Sequence, residues 1–348
     1  MKEEINISDR KKELLFNAVS SYIENASPIT SEKVHNTLFN NLSSATLRNE
    51  LNTLEQMGYL KQLHTSSGRV PTTKAYRFYV NQLLSNNTFD ENVINEIKDK
   101  FVVRSTFLSD VLTDIAKSIN EITSFPTYVK IKGYKNLIVQ GINVIPLITG
   151  QGLVLFQTSA GIINSTVNLN ADVTEEICKD ASKYLTTNLY GKTIEDIMQN
   201  IDYYNNLFKN QIKFYQELFI SVTNVIKKFA EEKSGKLIHS NTHKLLEEPE
   251  YKDITRAKKF LNLIENEREI KQIIENIDDN ATNELVFTIG EENLNEKYSD
   301  YSIINANYNM GNGVVASVSV LGPERMDYAK IASALKYISD EIKNYHKE

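Results

Sequence analysis

The chain has 348 residues, 41% apolar and 24% charged, enough for two or three globular domains; this excludes a small stapled scaffold, a coiled-coil rod and wholesale disorder. Its single cysteine, Cys178, rules out an intramolecular disulfide and a multi-cysteine zinc site and fits a reducing cytoplasm. The net charge of −6 is uneven: residues 1–84 hold ten Lys or Arg against eight Asp or Glu, a local +2 that leaves −8 on the rest, as in a nucleic-acid-binding head on an acidic body. No signal core follows Met1-Lys2-Glu3-Glu4 and no apolar run has spanning length, so secretion and membrane insertion are not expected.

Ser8 is a candidate N-cap for a first helix whose Leu14, Leu15, Ala18, Val19, Tyr22 and Ile23 share one face. Ser27-Pro28 ends it, Thr30 or Ser31 can cap a short second helix through Val34 and Leu38, and Asn40-Asn41 forms the turn. A third helix begins at Ser43. Leu47, Leu51 and Leu54 recur at i, i+4 and i+7 as its buried stripe, and Gly58 follows Met57 as the C′ glycine.

The stripe defines the opposite face of that helix: Ala45, Asn49, Asn52 and Gln56, flanked by Thr46, Arg48 and Thr53. Short polar side chains there, in place of the Glu/Lys mixture of a merely solvated face, suit base reading. Asn49 can pair with adenine through two hydrogen bonds, Arg48 can reach guanine or phosphate, and the Ala45 methyl can touch thymine. Residues 59–64, the Ser66-Ser67-Gly68 turn and Arg69-Val70 predict a hairpin wing in which Gly68 permits the turn and Arg69 at the tip enters a minor groove or holds a phosphate. His64 fits a phosphate contact and a partly buried wing position equally. The predicted DNA-contacting set is Ser44, Ala45, Thr46, Arg48, Asn49, Asn52, Lys61, His64, Ser67, Gly68 and Arg69; the competing possibility is a solvated three-helix domain used for protein contacts.

Ser85-Asn86-Asn87-Thr88 predicts a linker, and residues near 90–122 read as helix. Residues 127–168 alternate and turn like the strands of an antiparallel sheet. Helical pattern runs from about 172 to 233, breaks at Ser234-Gly235 and returns over 252–277; strands resume at 284–290, 301–308 and 313–321, before a closing helix over 326–345. Strands on both sides of a helical block imply an α+β domain interrupted by an insertion. The expected division is 1–84, a linker helix 85–122, an α+β domain made of 123–205 and 284–348, and an insertion 206–283.

No Walker-type loop, Gly-x-Ser-x-Gly elbow or His-Glu-x-x-His occurs, so neither an enzyme nor a cofactor is expected. Gly150-Gln151-Gly152 lacks the last glycine of a dinucleotide fingerprint, and His239 with His243 makes half a metal site at most, so no metal is expected. Cys178 reads as a small buried apolar residue. Arg325 and Asp327, ahead of the last helix, fit a ligand-binding pair or a structural ion pair at a helix start, the second being favoured.

Residues 43–51 (Ser-Ser-Ala-Thr-Leu-Arg-Asn-Glu-Leu), 64–72 (His-Thr-Ser-Ser-Gly-Arg-Val-Pro-Thr), 76–80, 289–293 (Ile-Gly-Glu-Glu-Asn) and 322–328 (Gly-Pro-Glu-Arg-Met-Asp-Tyr) together resemble, across almost the whole chain, the HrcA family of heat-inducible transcription repressors. The resemblance implies an α+β multidomain fold: an N-terminal winged helix-turn-helix, a GAF-like α+β domain and an inserted helical, dimerising domain. It further implies a cytoplasmic homodimer that occupies a double-stranded inverted-repeat operator at class I heat-shock (chaperone) operons and is released on heat shock. The GroEL chaperonin is implied as the partner that keeps the repressor folded. Two positions depart from the family pattern: Ser44 stands where proline is usual, and Glu32 where a basic residue is common, with Lys33 beside it. The alternative is a ligand-gated regulator whose GAF-like domain senses a small molecule.

Overall fold

The computed structural model describes residues 7–37, 39–62, 68–86, 91–100, 108–147, 150–209, 215–231, 236–238, 242–275, 285–293 and 295–345. Its N-terminal part is built from α1 (Asp9–Asn25), α2 (Ser31–Thr37), α3 (Ser44–Gln56), the short strands β1 (Leu60–Gln62) and β2 (Arg69–Pro71), and α4 (Thr73–Asn86). Leu14, Leu15 and Val19 of α1 meet Leu47, Leu51 and Leu54 of α3 and Val80 of α4 in one buried cluster. Phe16 stacks on Tyr79 with ring centroids 4.8 Å apart. The chain leaves α1 through Ala26, whose left-handed backbone (φ 49°) lets its N–H reach Tyr22 O, and the Thr30 hydroxyl then accepts the N–H of Lys33 at the start of α2. The expected linker at 85–88 begins inside α4, which continues to Asn86.

The rest of the chain carries two sheets. The larger is antiparallel throughout, in the order β7 (Lys236–Ile238), β3 (Thr127–Lys132), β10 (Val315–Pro323), β9 (Tyr301–Asn309), β8 (Leu285–Thr288). Residues alternate across it. Val318 and Val320 of β10 with Ile304 and Ala306 of β9 line one side, against α6 (Leu108–Thr123) and α14 (Tyr328–Tyr345), and α5 (Glu91–Lys100) packs on both helices. Ser317, Ser319 and Asn305 line the other side and bond one another: both hydroxyls donate to Asn305 Oδ1, at 2.9 and 2.7 Å. Two further helices, α12 (Ile254–Glu265) and α13 (Glu267–Glu275), follow the short α11 (Thr242–Leu245). Phe260 of α12 lies 5.5 Å from the ring of Tyr301.

The smaller sheet is a meander of β4 (Val139–Pro146), β5 (Gln151–Thr158) and β6 (Gly161–Asn168). Its inner residues Val144, Val154 and Phe156 are buried on the side of α7 (Glu175–Leu189) and α10 (Tyr215–Glu231), between which come α8 (Ile194–Gln199) and α9 (Ile201–Lys209). This corrects the expectation of one sheet over 127–168: only β3 joins the strands of the C-terminal third. The chain leaves the five-stranded sheet twice, between Lys132 and Lys236 and again between Ile238 and Leu285, and the insertion expected over 206–283 overlaps both stretches. Alternation marks a strand but carries no information about its hydrogen-bonding neighbour, so the pattern over 127–168 does not show that β3 pairs with β10 and β7 while β4 to β6 pair among themselves.

The N-terminal part docks on this body through side chains of both. Arg77 donates to Glu292 Oε1 at 2.6 Å and to Phe287 O at 2.7 Å, and the Thr73 hydroxyl bonds Glu324. Arg325, 9% exposed, reaches Ile23 O at the end of α1 (2.6 Å), Glu250 (2.5 Å) and Glu248. Its ion-pair partners are therefore Glu248 and Glu250; Asp327 instead accepts the Lys330 N–H in the first turn of α14, at 2.9 Å.

Candidate nucleic-acid interface

The candidate face is presented by α3, and local chemistry sets where that helix starts and how it is turned. Ser43 caps it, accepting the Thr46 N–H at 3.1 Å, and the two hydroxyls meet at 2.8 Å. Ser44 occupies the first helical position, where proline would be pre-set, and its hydroxyl donates to Ser31 at 3.3 Å, tying the starts of α2 and α3 together. At the other end Gly58 takes the left-handed conformation (φ 77°), and Lys74 donates to Met57 O at 2.8 Å while lying 4.3 Å from the Tyr59 ring centre.

Full burial of Leu47, Leu51 and Leu54 leaves Ser44, Ala45, Arg48, Asn49 and Gln56 exposed. Among the described residues, the side chains of Arg48 and Asn49 make no hydrogen bond or ion pair. The face therefore offers one free guanidinium and one free amide beside a methyl, a set able to bond base edges or phosphate. Thr53 is spoken for, its hydroxyl donating to Asn49 O at 3.0 Å. Glu50 was not singled out by the sequence, yet it is buried and pairs with Arg10 of α1. The signal was present, since Glu50 falls between Leu47 and Leu54 within the apolar arc.

The hairpin divides its predicted residues between two sides. Lys61 is in register with Val70 and Gln62 with Arg69; Lys61 and Val70 line a cleft toward the body, away from the α3 face. Arg69, expected at the tip, lies in β2 with its guanidinium turned onto α3: it donates to Glu55 at 2.7 Å and to Asn52, and its side chain is 12% exposed. Asn52 is thereby half-buried and committed. Gly68, expected to supply a turn conformation, has no left-handed φ; a Cβ there would stand 2.8 Å from both Ile29 O and Pro28 Cβ. What demands glycine is close approach, because residue 29 bridges Arg69 as a third strand through bonds of 2.7 and 2.9 Å. His64 and Ser67 lie outside the described residues, as does His239.

Relatives cover both the head and the body. The protein of Ruminiclostridium cellulolyticum named heat-inducible transcription repressor HrcA is 30% identical over 349 residues, spanning 97% of this chain and 96% of its own. That of Thermoanaerobacter sp., bearing the same name, is 31% identical over 340 residues, with 97% and 96% covered. The family model described as HrcA protein C terminal domain matches residues 109–332. The chain belongs to the HrcA family. That family is one of transcription repressors and not of enzymes. A crystal structure described as that of a hypothetical protein at 2.2 Å resolution shares the fold, with TM-score 0.74, 21% identity and 98% and 99% of the two chains covered. Among the described residues of this HrcA chain, no helix is long and apolar enough to cross a membrane.

Proposed function

We propose that residues 1–84 form a winged helix-turn-helix domain that lays α3 in the DNA major groove, and that the chain represses heat-shock chaperone operons by occupying an inverted-repeat operator as a homodimer. The observation that carries this is the α3 face, where Arg48 and Asn49 stand uncommitted beside Ala45 on a helix fixed from behind by three buried leucines. Ser44 and Thr46 lie at the helix start, whose remaining backbone N–H groups suit a phosphate, and Gly68, His64 and Ser67 complete the proposed contact set.

An inverted repeat needs two heads on one side of the duplex, spaced by a helical turn of about 34–36 Å or a multiple of it. Support for a second copy is the outer face of the small sheet. Ile145, Leu153, Leu155 and Ile162 share the side turned away from α7 and α10, and Ile145 is 43% exposed. On this proposal the five-stranded sheet with α5, α6 and α14 is the GAF-like domain, and the segment from β4 to α10 is the dimerising insertion.

Release on heating is placed in the body. Its β3 must find β10 across the whole insertion and the strands β8 and β9, a distant pairing that forms slowly and leaves apolar surface open, and this is the state the GroEL chaperonin takes up in the cytoplasm. Mapping genomic occupancy before and after heat shock tests the proposal. Peaks upstream of chaperone operons that vanish on heating are expected; peaks elsewhere, or occupancy that ignores heat, would refute it.

A further inference from the structure

An open cleft of about 370 Å³ separates the head from the body and takes no part in the proposed DNA contact of α3. Tyr22, Lys61 and Tyr76 form its head wall; Tyr251, Arg256 and Tyr301 form its body wall. The rings are held in place from behind: Phe260 lies 5.0 Å from Tyr251 and 5.5 Å from Tyr301, and Tyr328 lies 6.0 Å from Tyr76. The rings are thus fixed by packing, Tyr76, Tyr251 and Tyr301 being largely buried and Tyr22 more open, and the cleft sets them among charged side chains.

Most of its charges are satisfied within the protein. Arg325 is held by Glu248, Glu250 and Ile23 O, Lys259 by Asp300 at 2.9 Å, and Glu324 accepts the Thr73 hydroxyl. Burial pushes the Glu324 carboxyl above its ordinary range, and nearby Lys61 works against that shift. Two cations are left without a hydrogen bond or ion pair among the described residues: Lys61 on the head wall and Arg256 on the body wall. The volume suits a ligand at the small end of ordinary binding pockets, which begin at about 300 Å³.

We infer that this cleft binds a small organic anion built on a flat ring, of nucleoside-monophosphate size, with its ring against the tyrosines and its anionic group between Lys61 and Arg256. A ligand so placed joins head to body and occupies Lys61. Where the head is a DNA reader, as proposed above, occupancy holds this hairpin cation on the body side and keeps it from reaching phosphate; the binding itself does not rest on that proposal.

Calorimetry on the full chain with adenosine 5′-monophosphate, benzoate and inorganic phosphate tests the inference. Saturable binding of one molecule per chain by adenosine monophosphate or benzoate is expected, with a dissociation constant of about 1 mM or below, and whichever binds names the source of the ring. Arg256→Gln and Lys61→Gln should each weaken it about tenfold, the usual effect of losing one charge-assisted contact. The Arg256 side chain is exposed and has no hydrogen-bond or ion-pair partner among the described residues, so its variant should keep the wild-type circular dichroism. Phosphate alone should bind about tenfold more weakly than the ring anion, for want of the stacking. The inference is overturned if neither ring anion saturates, if either variant binds as wild type does, or if phosphate binds as tightly as the ring anion. Failure of the unmodified full chain to bind operator DNA, with anion binding intact, would instead refute the DNA-reading head.

Discussion

Arg69 and Arg48 are both basic residues of the predicted contact set, and the structure gives them opposite expected phenotypes. Arg69→Ala removes hydrogen bonds to Glu55 and Asn52 from a side chain that is 12% exposed. A bond to a charged partner contributes about 1.5–3 kcal/mol, but Glu55 is 31% exposed and recovers water, so the head should lose about 1–3 kcal/mol. Amide exchange in α3 and the hairpin should then quicken by roughly 5–150-fold if the head opens as a unit. The slope of log affinity for the operator against log salt should stay unchanged, because the guanidinium is not available to phosphate. Arg48→Ala should do the reverse, leaving exchange as it was and lowering the slope by about 0.9 per half-site wherever Arg48 holds a phosphate. Exchange by mass spectrometry and fluorescence anisotropy from low to moderate salt measure the two effects on the same samples. A fall in slope of about one per half-site in Arg69→Ala, with exchange unchanged, would show that Arg69 leaves Glu55 on DNA and that its packing in the free protein is no guide.

Asn49→Ala should cost about 1–3 kcal/mol per half-site on the operator and little on unrelated DNA; equal losses on both in competition binding would remove Asn49 from base reading. Gly68→Ala should lower the thermal midpoint, since its Cβ meets backbone and proline at 2.8 Å, with a cost of about 1–3 kcal/mol; an unchanged midpoint would mean that the hairpin yields freely. Arg325→Leu strands Glu248 and Glu250, which are 36% and 20% exposed, so a discounted loss of roughly 2–4 kcal/mol and a midpoint lower by about 3–8 °C are expected in scanning calorimetry. Asp253 accepts the N–H groups of Thr255 and Arg256 at the start of α12, and these bonds hold its carboxyl below the ordinary aspartate value. Because the folded-state value is the lower one, the stabilisation is complete above about pH 4 and lost as pH falls through the depressed value. Asp253→Asn should therefore flatten the acid limb of the midpoint-against-pH curve, and a limb of unchanged steepness would assign it to other carboxylates.

The sequence by itself determined the local features of the head. Ser43 as cap, Gly58 as terminator and the leucine stripe of α3 act over three or four residues, through backbone groups and a helical period that the chain carries with it, and they suffice to turn Arg48 and Asn49 outward. Family membership was legible for a similar reason, being written in ordered segments such as 43–51 and 322–328. Relations between distant segments were decided only in the tertiary structure. Arg69 found Glu55 and Asn52, Gly68 met residues 28–30, Lys61 turned to the body, and Arg325 chose Glu248 and Glu250 over Asp327 two residues away. The division of 127–168 between two sheets belongs with these. A strand advertises its alternation but not its partner, and a charged side chain advertises its charge but not whether a carboxylate from another element will fold against it.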